Sequence, residues 1–307
     1  MKPVIEGQGL GRFYGEVVGL NDLTVAIEPG ITGLIGPNGA GKSTFMKILV
    51  GEIRASRGSI RVLGEEPFAN RDLYRRLGFC PQQDALYDHM TGVEFVASLL
   101  RLGGFSRSEA RTRAQKAMER VHLTEAMERR IGGYSKAMRQ RTKLAQSIAH
   151  DPELLVVDEP LTGLDPIARH QTLELFRELG RQGTSILVSS HVLHEVESMT
   201  ETIVLIHRGR LLAQGSVPEV RRKLSRHPRK IRLTARDPRR LAGALLEFEH
   251  VDNLRLSQDG EGLEVDTRDL DALLDALPAI TAKLRPGISS LESTDASLEA
   301  VFDYLMG

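Results

Sequence analysis

A chain of 307 residues, 41% hydrophobic and 27% charged, holds apolar material for roughly two domains with proper cores and is excluded from the disordered, collagen-like and low-complexity classes. Lys plus Arg and Asp plus Glu number 41 each, so the net charge is zero and no global field draws in nucleic acid or an anionic membrane. One cysteine, Cys80, cannot form an internal disulfide, and no Cys/His cluster has zinc spacing, which fits a reducing compartment.

The start, Met1-Lys2-Pro3-Val4-Ile5-Glu6, lacks the charged and apolar regions of an export signal. Residues 31–35 predict a strand, a Gly-rich segment follows, and 42–50 predict a helix closed by Gly51. Residues 91–149 read as almost wholly helical, broken at Gly103-Gly104 and Gly132-Gly133, and form a helical insertion. Strands return at 154–157 and 185–189, and 202–206 pairs with 211–214 across Arg208-Gly209 as a hairpin. This alternation predicts an α/β core around a largely parallel sheet, ending near Gly215. The apolar runs in these strands fall far short of the roughly 20 residues that cross a bilayer, so any membrane the chain serves is spanned by another polypeptide.

After Pro218 the composition shifts. Residues 221–240 carry ten Lys/Arg and one acid, Asp237, whereas 241–307 carry fourteen acids and four Lys/Arg. The shift marks a boundary between domains 1–217 and 218–307. In the second, strands at 230–235, 251–256, 263–267 and 288–291 alternate with helices at 239–249 and 270–277, and a last helix at 298–306 is capped by Asp295. The order β-α-β-β-α-β predicts a small α+β, ferredoxin-like unit. The basic run reads as a solvated linker to a passive appendage, or as a strip facing anionic lipid or an acidic partner surface. The acidic remainder weighs against lipid, so a role for this unit, if it has one, is self-association that steadies a dimer.

The chemistry begins at Gly36-Pro37-Asn38-Gly39-Ala40-Gly41-Lys42-Ser43, a G-x-x-x-x-G-K-S phosphate-binding loop followed by Thr44. Its backbone N–H groups converge on phosphate oxygens at a helix N-terminus, Lys42 reaches the β/γ-phosphates and Ser43 reaches Mg²⁺. A chance loop of that pattern occurs in roughly 1% of chains this long at average residue usage. Leu154-Leu155-Val156-Val157-Asp158-Glu159 is an apolar strand ending in two acids. Asp158 suits Mg²⁺ through water, and Glu159 suits polarising the water that attacks the γ-phosphate. The separation of Ser43 from Asp158 is too long for a small GTPase, and no Asn-Lys-x-Asp guanine motif is present.

These two segments, with Tyr134-Ser135-Lys136-Ala137-Met138-Arg139-Gln140-Arg141 between them, resemble the ATP-binding subunit of an ATP-binding-cassette (ABC) transporter over about residues 1–215. The resemblance implies a P-loop NTPase fold with a helical subdomain at about 85–150, ATP and Mg²⁺ as cofactors, ATPase activity, and two copies (a homodimer or paralogues) closing on ATP. Ser135 and the N–H groups after it would then serve the partner's nucleotide, with Lys136 and Ala137 standing where the signature glycines are expected. Ala137 keeps its N–H but adds a Cβ beside the γ-phosphate.

By the same resemblance Tyr14 would stack on adenine, Gln82 would touch Mg²⁺ and water with Gln83 the alternative register, Asp165 would belong to the loop coupling two sites, and His191 would meet the γ-phosphate. Individually each has a plainer reading, Asp165 as a helix N-cap before Pro166 above all. A P-loop kinase has no use for the signature segment, and a DNA-repair ATPase would carry long heptads where this chain has none. A soluble ABC ATPase of translation or repair stays as the alternative to a transporter motor. Residues 78–91, the Tyr134-Ser135-Lys136 signature and the ending Ser297-Leu298-Glu299-Ala300-Val301-Phe302 resemble the ABC-2 type exporter branch, which implies a membrane permease partner, no nucleic acid, and a peripheral position on the cytoplasmic side of the cell membrane. Tyr87, Asp88, His89 and Met90 suit either permease docking or local packing.

Overall fold

The computed structural model describes residues 2–293 apart from 193–194, 197, 225–228, 258–259, 261 and 285. The helix expected at 298–306, its cap Asp295 and the Ser297–Phe302 ending lie outside the described residues. Contacts divide the chain between Ser216 and Val217 into two compact units.

In the first unit, β1 (Ile5–Tyr14), β2 (Val17–Ile27) and β4 (Arg57–Val62) form an antiparallel sheet ordered β2-β1-β4. A six-stranded sheet holds β3 (Ile31–Ile35), β5 (Leu77–Cys80), β6 (Leu154–Val157), β7 (Ser185–Ser190), β8 (Thr202–His207) and β9 (Arg210–Ser216), ordered β5-β6-β7-β3-β8-β9. All its pairs are parallel except β8–β9. Every residue of β6 and β7 is buried, as central strands of a sheet covered on both faces are, the serines of β7 included. The β8–β9 turn places Arg208 at φ 46° and Gly209 at φ 74°, the two left-handed residues a tight hairpin turn needs.

The expected strands at 31–35, 154–157, 185–189 and 202–206 are present, the last two one residue longer, but the β1–β2 hairpin was not legible. Its register shifts at Gly7/Leu10, Leu10/Arg12 and Arg12/Phe13, and such bulges interrupt the period of two in β1, while β2 keeps it only over Leu23–Ile27.

Helix α1 (Lys42–Leu49) follows β3 and buries Phe45, Met46, Ile48 and Leu49 in a core shared with Leu34, Val156, Leu187 and Val204. A short α2 (Arg71–Tyr74) precedes β5. The helical insertion is α3 (Gly92–Leu102), α4 (Arg107–Arg120) and α5 (Lys136–Ile148), and α6 (Pro166–Arg181) links β6 to β7. Thr91 and Glu94 cap α3 reciprocally.

The second unit begins with α7 (Val217–Leu224), then β10 (Arg229–Ala235), α8 (Pro238–Leu245), β11 (Val251–Leu256), β12 (Gly262–Thr267), α9 (Leu270–Leu284) and β13 (Ile288–Ser293). The antiparallel order β11-β12-β10-β13 is that of a split βαβ fold. Helix α8 stops at Leu245, short of the expected 249. Helix α9 runs past the expected end at 277 and through Pro278, because Leu273 and Leu277 are buried in the unit's core and Ile280 packs against it, and this packing outweighs the backbone bond that proline forfeits. Residues 229–240 of the basic run are not linker but strand and helix. Register sets Lys230 opposite Asp266, and Arg232 opposite Glu264 and Glu292, so these two cations stand across from acids of the same sheet.

Candidate functional site

The parallel strands deliver their chemistry at their C-terminal ends, where open α/β sheets place ligand sites. After β3 the chain curls through 36–41 into α1. Gly41 has φ 105°, and a Cβ there would come within 2.5 Å of the Gly19 carbonyl, so a side chain is excluded twice. The β8–β9 turn braces the loop, Gly209 N–H donating to the Ala40 carbonyl at 2.8 Å.

Lys42 is 6% exposed. Its ammonium donates to the Gly36 carbonyl at 2.6 Å and the Pro37 carbonyl at 3.3 Å, and lies 3.7 Å from Glu159 Oε1. Burial lowers its pKa, with Glu159 and then Asp158 opposing.

Glu159 follows β6 with φ 50°, a left-handed conformation that a glutamate adopts only where its surroundings hold it. Its Oε2 lies 2.9 Å from His191 Nδ1 and accepts from Thr162 Oγ1 at 3.3 Å. The Glu159 residue is 8% exposed, and its carboxylate joins Lys42 of α1, Thr162 in the turn that follows Glu159 and His191 just beyond β7. Ser189 Oγ donates to Asp158 Oδ1 at 2.5 Å and accepts from the Glu159 N–H at 2.9 Å, locking both acids to β7. Motif reading missed Ser189 and Thr162, since no local pattern distinguishes them.

The remaining candidates sit around this centre. Tyr14 is 43% exposed with the Arg12 guanidinium 4.8 Å over its ring, and its ring edge and Thr44, at the start of α1, both lie close to Gly19. Gln82 is exposed and lies two residues beyond Cys80, whose carbonyl accepts from Asp158 N–H at 2.9 Å. Cys80 is buried, and burial pushes its thiol up to about 12, so it is inert.

Ser135 N-caps α5 through Met138 N–H at 3.3 Å, and Ala137 occupies the first turn. Asp165 N-caps α6 through Ala168 N–H at 2.9 Å with Pro166 next, and that backbone bond lowers its pKa. The side chain of Lys136 runs beside Gly163, so the signature and the Asp165 segment are neighbours. The structure thus joins Lys42, Asp158, Glu159 and His191 directly or through Ser189, while the capping hydrogen bonds of Ser135 and Asp165 stay on their own helices.

The donor set fits the expected groups. A looped run of backbone N–H groups with one buried ammonium suits a polyphosphate, and the Ser43 hydroxyl with the Asp158 carboxylate offers the hard oxygen ligands Mg²⁺ takes. No cluster of three or more His, Cys, Asp or Glu with metal geometry occurs among the described residues.

Residues 20–162 match a family model described as ABC transporter. The chain is 32% identical to the daunorubicin/doxorubicin resistance ATP-binding protein DrrA of Streptomyces peucetius over 305 residues, 99% of this chain and 92% of that protein. It is 35% identical to the Nod factor export ATP-binding protein I of Burkholderia orbicola, covering 69% of this chain and 70% of that one. A solved ATP-binding subunit of an ABC transporter superposes with TM-score 0.65 at 30% identity, covering 72% of this chain and 92% of its own. Against ABC transporter ATP-binding proteins of Synechocystis, Bacillus subtilis and Nostoc the chain is 37–39% identical and spans 58–63% of their length. Its fold, its phosphate-binding loop and these relatives converge: the chain belongs to the ATP-binding subunits of ABC transporters, in the branch that includes export proteins.

Proposed function

We propose that the chain is the ATP-hydrolysing motor of an ABC-2 type exporter, acting on a separate membrane permease through ATP-dependent pairing of two such chains. The observation that carries this reading is Glu159: a buried carboxylate in a left-handed turn, set between the phosphate-loop lysine and His191. Lys42 exchanges its carbonyl contacts for β/γ-phosphate oxygens, and the N–H groups of 38–44 complete the cradle. Ser43, Gln82 and Asp158 would hold Mg²⁺, which would supply charge neutralisation on the phosphates. Glu159 orients the water that attacks the γ-phosphorus as the bond to the β–γ bridging oxygen breaks, giving ADP and phosphate. His191 holds the carboxylate in place, Tyr14 takes the adenine side, and Ser135, Ala137 and Asp165 act across the pair.

No helix of the described residues is long and apolar enough to cross a membrane, and one surface feature supports a permease partner. A groove of about 590 Å³ lined by Tyr74, Phe79, Leu86, Tyr87, Phe95 and Leu99 opens on the surface, with Tyr87 58% exposed. The proposed position is peripheral, on the cytoplasmic side of the membrane, through that permease. The second unit, with Leu246 72% exposed, serves as an accessory dimerising unit.

Glu159→Gln tests the central assignment. Hydrolysis should fall about 10²- to 10⁴-fold while ATP binding persists. Near-normal turnover of the purified variant would sink it. Tyr87→Ser should reduce recovery of the permease on co-purification, and undiminished recovery would return Tyr87 to local packing.

A further inference from the structure

Helix α5 and the residue after its C-cap turn one polar stripe onto β5 and the segment beyond it. Arg139, Lys143, Gln146 and His150 are spaced by four, three and four, one face of a helix. They engage the other segment in reverse order. His150 Nε2 lies 3.1 Å from the Leu77 carbonyl, and Gln146 donates to the Phe79 carbonyl at 2.7 Å. Lys143 donates to the carbonyls of Pro81 at 3.0 Å, Gln82 at 2.9 Å and Gln83 at 3.3 Å. Arg139 closes the series on Asp84 at 2.5 Å and Asp88 at 2.7 Å.

Lys143 is the unusual member. An ammonium has three N–H donors, and here three successive carbonyls take them, which requires the backbone to curl around the nitrogen. Lys143 is 5% exposed, beside buried Leu144 and Ala145. An apolar side chain would fill this interface without the penalty of burying a charge, so packing alone does not account for a lysine. Burial lowers its pKa. The Gln82 side chain, by contrast, stays exposed, and the strand leading to it is tied to Asp158 through the Cys80 carbonyl.

We infer that Lys143 is a positioning residue for Gln82: its ammonium fixes the main chain at 81–83 against the end of β6 and leaves the Gln82 amide presented to the nucleotide. This rests on the reading of Gln82 as a nucleotide-facing residue. The residue acts from α5, the helix that begins at the signature, so the signature helix and the Gln82 segment are one mechanical piece.

The test uses the full-length chain carrying Lys143→Met, Gln82→Ala, or both. Lys143→Met should speed amide hydrogen exchange at residues 82–84, lower kcat about 10-fold, the scale expected when a positioned group shifts by a fraction of an ångström, and change ATP affinity less than about twofold. In the Gln82→Ala background it should cost no further kcat, because the group it positions is gone. Lys143→Arg, which keeps the charge but not the point geometry, should recover part of the rate, and it carries the same readouts if Lys143→Met fails to fold. Unchanged exchange, or a loss that multiplies with Gln82→Ala, overturns the clamp. Normal turnover by Gln82→Ala alone overturns the assignment of Gln82 and with it the role given to Lys143, an outcome distinct from unchanged exchange beside a slow Gln82→Ala.

Discussion

Ser189 shows how the two acids after β6 are held by a group with no chemistry of its own. Its fully buried hydroxyl satisfies Asp158 Oδ1 and the Glu159 N–H together. Ser189→Ala leaves both unpaired in the interior, a loss of about 1–3 kcal/mol that equilibrium urea unfolding should read. Turnover should fall with it, since the left-handed turn at Glu159 loses its anchor to β7. Lys42→Ala acts differently. It removes the charge-assisted contact to phosphate, so titration with a fluorescent ATP analogue should show weakened binding, and unchanged binding would mean that the loop N–H groups alone hold the nucleotide.

Elements are joined by side chains that local pattern makes only partly visible. The Thr91–Glu94 box that starts α3 is legible as T-x-x-E. Thr91→Ala should cost about 1 kcal/mol in thermal or urea unfolding and Thr91→Ser almost nothing. Arg76, just before β5, pairs with Glu65 at 2.8 Å and with Glu153, just before β6, at 2.7 Å. The Arg76 hydrogen bond lowers the Glu153 pKa. A depressed carboxylate contributes stability that is present above the ordinary glutamate value and lost as pH falls through the lower, folded value. Glu153→Gln should therefore be less stable than the parent near pH 7 by at most about 1 kcal/mol, given the exposure of the pair, and the gap should close in acid.

On the scale of the whole molecule the chain carries two cores, one around Phe45, Leu34 and Val156 and one around Leu233, Leu263 and Leu273. Each unit closes its own sheets, so residues 1–216 should fold and bind ATP without the rest. The dimerising role proposed for the second unit predicts that this fragment is more monomeric than the full chain in nucleotide-free solution by light scattering. Equal oligomeric states at every salt concentration would reassign residues 217–307 to docking or regulation.

What the sequence determined by itself was whatever contiguous residues encode: the phosphate loop between a strand and a helix, the apolar strand ending in Asp158-Glu159, the helical insertion, and the β-α-β-β-α-β order of residues 230–291. Each is a spacing rule over a few neighbouring positions, so one sequence suffices. Tertiary structure decided the rest. The β1–β2 hairpin is bulged, so the alternation of β1 is interrupted and the antiparallel pairing of β1 with β2 and β4 reveals it. Helix α9 passes through Pro278 because the core beneath it outweighs the local signal. Ser189 and Lys143 read as ordinary residues until the sheet brings Ser189 to Asp158 and the insertion folds Lys143 back onto Gln82, contacts between positions 31 and 61 apart. Contacts across such distances leave no period in the chain, because their geometry is set by strand order and helix packing.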